Sequence, residues 1–460
     1  MIAFSCLSLR DSGVLHDLHD GQLFSDNKEL VTSFRHGGVH IQEGNKLVLR
    51  GHGLKRPVTL TYGEVISHEP SLAGRGTAVL HANPSTLWKS INLVVKVSWP
   101  GSGRVAENVF LATAMKTAKR GPKDKWAVNH LPRVLFAQDV VFDPDSTHAK
   151  VASLFDNAEF VDPGCGFTYE RRTLRIIVQE RLYPLKTLTN VKEIAQVLLD
   201  VACGMWFHLC LLSFAHICLV HRWLYLEAGI LHRDFSLNNI MCRITERKNR
   251  KGVKERKVYG VLTDFDLASW KEHLDNDYKK TSQQRTGTPP FMAKGLLDGS
   301  EPLHMYRHDL ESMFYIMLIL ASHYEIQSPT NGERGGLRVR QGQGLMELPY
   351  QDWFNQESYK TLAFLKGGFF SGPIELNLSP SFEKFRRWLT DLHRSFWQGI
   401  SSRQDYKFEL QRRKDEELED EDMPGFDNET LGGHVHYSAL INPVRRLKGE
   451  LEGLVIRYDP

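Results

Sequence analysis

Asp234, Asn239 and Asp264 have the types and spacing to do chemistry together. They stand in the strings His232-Arg233-Asp234-Phe235-Ser236-Leu237-Asn238-Asn239 and Thr263-Asp264-Phe265-Asp266. A carboxylate such as Asp234 accepts or orients a hydroxyl proton. A carboxamide and a second carboxylate supply hard oxygen ligands, which suit Mg²⁺ because that ion leaves its other positions to water and phosphate oxygens. Lys96 is conspicuous for the opposite charge. It interrupts the β-branched run Val94-Val95-Lys96-Val97, and an ammonium buried in a strand is costly without a counter-charge. Glu107, on the helical stretch that follows, is the candidate partner.

These groups need elements to hold them. Val94 to Val97 and Leu174 to Val178 are rich in β-branched residues, as buried strands are. Arg104 to Thr117, Val191 to Val201 and Ser381 to Trp397 carry helical spacing, and the sequence after Asp309, LESMFYIMLILASHY, is apolar nearly all round, the mark of a buried helix. Short alternating stretches between glycine turns before residue 67 predict strands ahead of the main domain. At 460 residues the chain exceeds one comfortable core, which favours two lobes with extensions. A net charge of +3 gives no whole-chain case for nucleic acid. The basic run Glu246 to Lys257 reads first as a solvated hairpin loop, and the acidic run from Lys414 as a linker. Six cysteines without paired spacing read as reduced intracellular thiols. The N-terminal MIAFSCLSLRDSG lacks a basic region and a long apolar core, so no signal peptide is expected.

The string His232 to Asn239 with Asp264-Phe265-Asp266 resembles the catalytic loop and metal-binding triplet of protein kinases, H-R-D-x-x-x-x-N and D-F-G. By that resemblance Asp234, beside Arg233, orients the substrate hydroxyl, and Asn239 and Asp264 hold Mg²⁺ against the phosphates of ATP. Gly74-Arg75-Gly76-Thr77-Ala78-Val79 resembles the phosphate-covering loop, and Gly76 precedes Lys96 by about twenty residues, in the kinase order. Lys96 and Glu107 would then pair at the phosphates, and Glu180 and Leu182, in Gln179-Glu180-Arg181-Leu182, would read adenine through their backbone. Arg285 to Ala293 resembles the end of an activation segment, where protein substrates dock. Asp309 matches the buried Asp that holds the catalytic loop. Arg233 resembles an arginine that pairs with a phosphorylated segment, which makes Thr281, Ser282 and Thr286 candidate acceptors. GILHRDFSLNNIM, DFDLA, RTGTPPFMA, RHDLES and TLGGHVHY together resemble the fungal-type protein kinase family, expanded in mushroom-forming fungi.

The resemblance implies an α+β bilobal kinase fold with a β-rich N-lobe, a mostly helical C-lobe and extensions at both ends. Residues 1–67 would be an extension packing on the N-lobe, 68–181 the N-lobe, 182–400 the C-lobe, and 401–460 a C-terminal extension. It further implies transfer of the γ-phosphoryl of ATP-Mg²⁺ to a protein hydroxyl, of Ser/Thr type, in the cytoplasm or nucleus, with no membrane or nucleic-acid partner. A weakly active pseudokinase or scaffold shares these residues, as does a small-molecule phosphotransferase, to which Asp266 points and GTPPFMA does not. Three positions depart from the pattern. Val79 replaces a glycine and would stiffen the phosphate loop. Asp266 replaces the glycine of D-F-G and would cost the hinge easy access to φ > 0. Lys294-Gly295 stands where an acidic residue usually makes a structural ion pair, so that pair is expected to be missing.

One stretch fits no element. A single helix of about twenty residues should run into the catalytic loop, yet Val191 to Gly229 is nearly twice that length. Met205 to Val220 is apolar, too short for a comfortable membrane span, and holds His208 and His216. Excising it restores one buried stripe, and its ends can be coded as a fungal splice donor and acceptor. It reads as a translated retained intron, with a buried family-specific insertion as the alternative.

Overall fold

The computed structural model describes residues 44, 46–51, 53–68, 76–140, 153, 172–203, 220–248, 254–273, 287–301, 303–328, 335–340, 348–416 and 424–440. Gly74, the apolar stretch up to residue 219, and Thr281, Ser282 and Thr286 lie outside the described residues, as do most of residues 1–45 and 441–460. The fold mixes α and β, and the chain divides into two units: residues 1–109 with 132–181, and residues 110–131 with 182–460.

The first unit is built on a six-stranded antiparallel sheet in the order β1-β2-β3-β4-β6-β5. Its strands are β1 (Lys46–Leu49), β2 (Val58–His68), β3 (Ala78–Pro84), β4 (Leu93–Ser98), β5 (Val134–Val140) and β6 (Leu174–Glu180). Residues 46–67 thus contribute two strands of the sheet itself. Alternation in β1 and β3 turns Leu47, Leu49, Ala78, Leu80 and Ala82 inward, where they join Leu60, Leu93, Val95, Val97 and Val178 in one cluster. Each fully buried aliphatic side chain contributes about 1.5–3 kcal/mol. Strand β4 is buried at every residue, which explains its β-branched run and leaves Lys96 in need of a partner.

The second unit is mainly helical. Helix α1 (Glu107–Ala118) leads into it, followed by α2 (Val191–Cys203) and α3 (Val220–Leu226). Helices α2 and α3 flank the apolar stretch 204–219, which lies outside the described residues. Short strands β7 (Tyr183–Pro184) and β8 (Ile230–Leu231) precede a hairpin of β9 (Ile240–Lys248) and β10 (Lys254–Leu262). The hairpin pairs from Leu262↔Ile240 out to Lys254↔Lys248, so the described residues of the basic run lie at the far end of that pairing. Strand β11 (Ser269–Trp270) pairs with β8, and β12 (Tyr324–Gln327) with β13 (Gly336–Val339). Helix α4 (Lys294–Asp298) precedes α5 (Tyr306–His323), all 18 residues of which are buried, as its all-round apolar sequence requires. Helix α6 (Tyr359–Phe369) and the 30-residue α7 (Arg386–Asp415) complete the unit, and α7 runs through residue 400 without a break.

The seam between α2 and β10 fixes the strand that delivers Asp264. A Cβ on Gly260 would fall on the Val197 carbonyl and the Asp200 side chain, so only glycine lets strand and helix close. Gly260 N–H donates to Asp200 Oδ2 at 2.8 Å, and its carbonyl lies 2.8 Å from His130 Nδ1. Burial pushes Asp200 up to about 7 and His130 down to about 4. Among the described residues, no helix is long and apolar enough to cross a membrane.

Candidate active site

The catalytic-type loop lies between β8 and β9, in the second unit. Its Asp234 is buried and held from two directions. Asn239 Nδ2 donates to the Asp234 carbonyl at 2.8 Å and to Oδ2 at 3.2 Å, while Thr288 Oγ1 donates to Oδ1 at 3.1 Å. The amide nitrogen of Asn239 is thereby committed, which leaves its carbonyl oxygen as the ligand atom. Thr288 belongs to the Gly287-Thr288-Pro289-Pro290 segment, so the loop and the segment meet on one carboxylate.

His232 links the loop to the strand before Asp264. Its Nε2 donates to the Thr263 carbonyl at 2.9 Å, which leaves Nδ1 to accept the Asp234 N–H at 3.3 Å. Burial lowers its pKa to about 4, so the ring is neutral at physiological pH. Phe265 packs edge-on against it, with centroids 4.9 Å apart. Asp264 has φ +62° and Arg233 φ +69°, both left-handed and both uncommon for residues with a side chain. Such conformations cost about 1–3 kcal/mol each and persist only where surroundings enforce them. Asp266 is not among the residues with positive φ; it sits in the 3₁₀ turn Phe265–Leu267. The expected cost of losing the D-F-G glycine is therefore absent, because the left-handed residue is Asp264 itself. Carboxylate oxygens of Asp264 and Asp266 come within 4.8 Å of each other. With the Asn239 carbonyl they make a hard-oxygen donor set that fits Mg²⁺.

Asp309, near the start of α5, enforces the loop. Its Oδ2 accepts the Arg233 backbone N–H at 3.1 Å and His221 Nε2 at 2.9 Å, and its Oδ1 accepts His304 Nε2 at 2.7 Å. Burial alone would raise its pKa, but His304 and His221, through charge and hydrogen bonds, outweigh that and hold it far below the carboxylate range.

The segment Gly287–Gly295 is secured differently. A Cβ on Gly295 would fall on the Glu301 carboxyl. Glu301 donates its N–H to the Gly295 carbonyl at 3.1 Å, and its side chain takes Arg307, Arg403 and, at 2.8 Å, His308. No carboxylate stands at 294–295 itself; Glu301, six positions along the chain (301 − 295), pairs with Arg307 and Arg403 and occupies the space Gly295 leaves. Lys366 adds a second hold: its wholly buried ammonium donates to the Pro290 and Met292 carbonyls at 2.9 and 2.6 Å and lies 3.8 Å from the Tyr315 ring centroid. Burial drives its pKa well down. Beside both the loop and the segment lies a cavity of about 180 Å³ lined by Leu237, Phe291, Ile319, Leu348 and Phe354, among others.

A family model described as fungal protein kinase matches residues 207–321, the stretch that holds the loop, Asp264, the Gly287–Gly295 segment and Asp309. The resemblance to that family holds. No curated protein matches the chain. Among solved structures the chain is similar to the PK-1 kinase of the Cydia pomonella granulovirus, at 9% identity and a TM-score of 0.32, over 71% of this chain and 86% of that one.

In this kinase-like chain the first unit holds the other expected residues except Leu182, which begins the second unit's later stretch. Lys96 Nζ donates to Glu107 Oε2 at 2.7 Å, with side-chain exposures of 8% and 2%. Val79 stands directly across from Lys96 in the β3–β4 register. It is strand residue, not loop, and its backbone does not call for glycine. Gly76 has φ +49° and needs glycine's freedom. Glu180 ends β6 with its N–H on the Arg133 carbonyl at 3.1 Å, and Leu182, just beyond, is buried. Sequence reading missed Glu301, Lys366, His221 and Tyr437. The nearest signal was Gly295 itself, a small residue where a carboxylate was expected.

Proposed function

We propose that the chain is an ATP-dependent protein kinase that transfers the γ-phosphoryl of ATP-Mg²⁺ to a Ser/Thr hydroxyl of a protein substrate. The observation that carries this reading is the Asp234 carboxylate, oriented by Asn239 from the loop and by Thr288 from the segment where a peptide would dock. Asp234 accepts hydrogen-bond donors on both oxygens, so its lone pairs are aimed and it orients an incoming hydroxyl at low reorganisation cost. Asn239 and Asp264 would hold Mg²⁺, with Asp266 as a further oxygen ligand; the bound ion would neutralise charge on the phosphates. Lys96, steered by Glu107, would pair with phosphate oxygens, and Gly76 and Val79 would lie near them, with Gly74 in the preceding loop. Glu180, its N–H already used, would offer its carbonyl to adenine, and Leu182 its N–H. The cavity beside Leu237 and Phe291, which His323, Tyr324 and Gln351 also line, would take a side chain of a polypeptide acceptor near the phosphorylated residue. The cysteine pattern fits a protein of the cytoplasm or nucleus.

The test is transfer of labelled γ-phosphoryl from ATP to generic protein substrates, amino-sugars and choline, with ATP-Mg²⁺ binding followed by thermal shift. Transfer to protein, and a thermal shift lost in Asp264→Asn, are expected. Binding without transfer to any acceptor would favour a scaffold, and transfer to small molecules alone would overturn the protein-kinase reading.

A further inference from the structure

The C-terminal segment 424–440, which carries Thr430 to Tyr437, reaches the catalytic loop through one file of hydrogen bonds. Tyr437 Oη lies 2.9 Å from His221 Nδ1, His221 Nε2 lies 2.9 Å from Asp309 Oδ2, and that same oxygen accepts the Arg233 amide at 3.1 Å. The directions follow from the end of the file. Asp309 is held ionised and can only accept, so His221 donates from Nε2, and its Nδ1 is left to the Tyr437 hydroxyl. Every member is buried: His221 and Asp309 are 1% exposed and Tyr437 8%. The file ends on Arg233, whose left-handed backbone must be enforced from outside, one residue before Asp234.

The segment is itself fastened at several points away from this file. The Tyr437 ring stacks on Tyr306, with centroids 4.9 Å apart and planes 12° from parallel. Tyr225 Oη donates to Glu429 Oε1 at 2.7 Å, Trp388 Nε1 donates to the Leu440 carbonyl at 3.0 Å, and Arg307 donates to the Asn428 carbonyl. Those contacts dock the segment; only the Tyr437 hydroxyl, among the described hydrogen bonds, continues to Asp309.

We propose that Tyr437 is a positioning residue of the catalytic loop, acting through His221 and Asp309 on the Arg233 amide. A hydroxyl on Nδ1 pins the His221 ring with Nε2 toward Asp309, and so fixes the angle at which Asp309 meets the loop. Without it the ring loses its second hold and can tilt, loosening the donor that keeps Asp309 Oδ2 on the Arg233 amide. The loop would then sample conformations in which the Asp234 carboxylate is misaligned, which lowers turnover and leaves nucleotide affinity alone. That the loop performs phosphoryl transfer rests on the function proposed above; that Tyr437 holds it does not.

The experiment compares Tyr437→Phe with Tyr225→Phe in the full-length chain. Both lose one hydroxyl bond at the segment, buried for Tyr437 and part-buried for Tyr225, and keep the ring, so both should fold. Hydrogen–deuterium exchange is read on the peptide containing Arg233 and Asp234, and kcat and the KM for ATP are measured alongside. Tyr437→Phe should speed exchange of these amides about tenfold and lower kcat about tenfold at unchanged KM. Tyr225→Phe should leave both near wild type. Wild-type exchange and kcat in Tyr437→Phe would overturn the proposal. Equal effects of the two variants would also overturn it, by reducing Tyr437 to a docking contact. Faster exchange in Tyr437→Phe, from a wild-type chain that transfers no phosphoryl group, would support the positioning role while sinking the kinase reading.

Discussion

The catalytic loop and the Gly287–Gly295 segment are each secured by a buried charge from a neighbouring element, but the two anchors hold different things. Asp309 accepts a backbone amide of the loop, with His221 and His304 completing its shell. Glu301 gathers the side chains of Arg307, His308 and Arg403, touching the segment only through its own N–H and by filling the space above Gly295. An anchor on backbone dictates geometry, whereas one on side chains mainly supplies cohesion. Asp309 should therefore matter to turnover and stability together, and Glu301 to stability first.

Asp234 is where both regions converge, so it sets the upper limit of the comparison. Asp234→Asn keeps the size of the side chain but removes its charge and one acceptor. The expected loss in kcat is on the order of 10³-fold or more, with thermal unfolding and ATP-Mg²⁺ binding little changed. Steady-state kinetics beside a thermal shift would check it; near-wild-type turnover would remove Asp234 from the assigned role.

Asp309→Ala strips the loop's anchor and leaves the Arg233 amide, His221 and His304 without their shared acceptor. Breaking a buried charge network from one side costs about 3–5 kcal/mol. Denaturant unfolding should show that loss, and turnover should fall further than the loss of folded protein explains. If turnover per folded molecule were unchanged, the distinction between the two anchors would fail.

Glu301→Ala should cost about 2–4 kcal/mol, since Arg307 is left buried with fewer partners, yet turnover per folded molecule should stay within about threefold. The second half of this test asks whether Glu301 does fill in for position 295. Gly295→Glu should destabilise the wild-type chain, because its side chain would land on the Glu301 carboxyl. In the Glu301→Ala background the same substitution should recover part of the loss. Additive losses in the double variant would rule out the exchange of places.

The contrast also marks what the sequence made legible. Asp309, Asn239 and Asp264 were readable because each sits at a fixed offset within a string whose chemistry demands it. Lys96 was readable from its setting: β4 is buried at every residue, and a cation there required Glu107. Glu301, Lys366 and Tyr437 were not, since nothing in a local pattern announces a contact 74 residues away, as between Lys366 and Met292, or 216 away, as between Tyr437 and His221. The strands of residues 46–67 were foreseen as strands, but their membership of the main sheet depends on pairing with β3 that alternation alone does not specify. Helix α2 was foreseen from its apolar spacing, and its described part runs from Val191 to Cys203.

The smallest expected effect separates the loop from the α2–β10 seam by pH. His232 in the loop and His130 in the seam are both lowered to about 4 by burial, while Asp200 in the seam is raised to about 7. Between pH 4 and 6.5 an unfolded histidine carries a proton that the folded one does not, so each histidine makes stability rise with pH. Asp200 works the other way, because across pH 4 to 7 the folded carboxyl keeps a proton the unfolded one has lost, and stability falls as pH rises. The seam's two titrations oppose each other around Gly260, and His232, with His304, His308, His323 and His393 lowered by burial in the same direction, gives a net rise. Denaturant unfolding from pH 4.5 to 6 should show stability rising by about 1–2 kcal/mol. His130→Gln removes the seam's compensating histidine and should lessen that rise, since Asp200 is then unopposed within the seam. Asp200→Asn should do the reverse and steepen it. A wild-type profile that falls over this range, or one that neither substitution changes, would mean that these groups do not titrate as their burial requires.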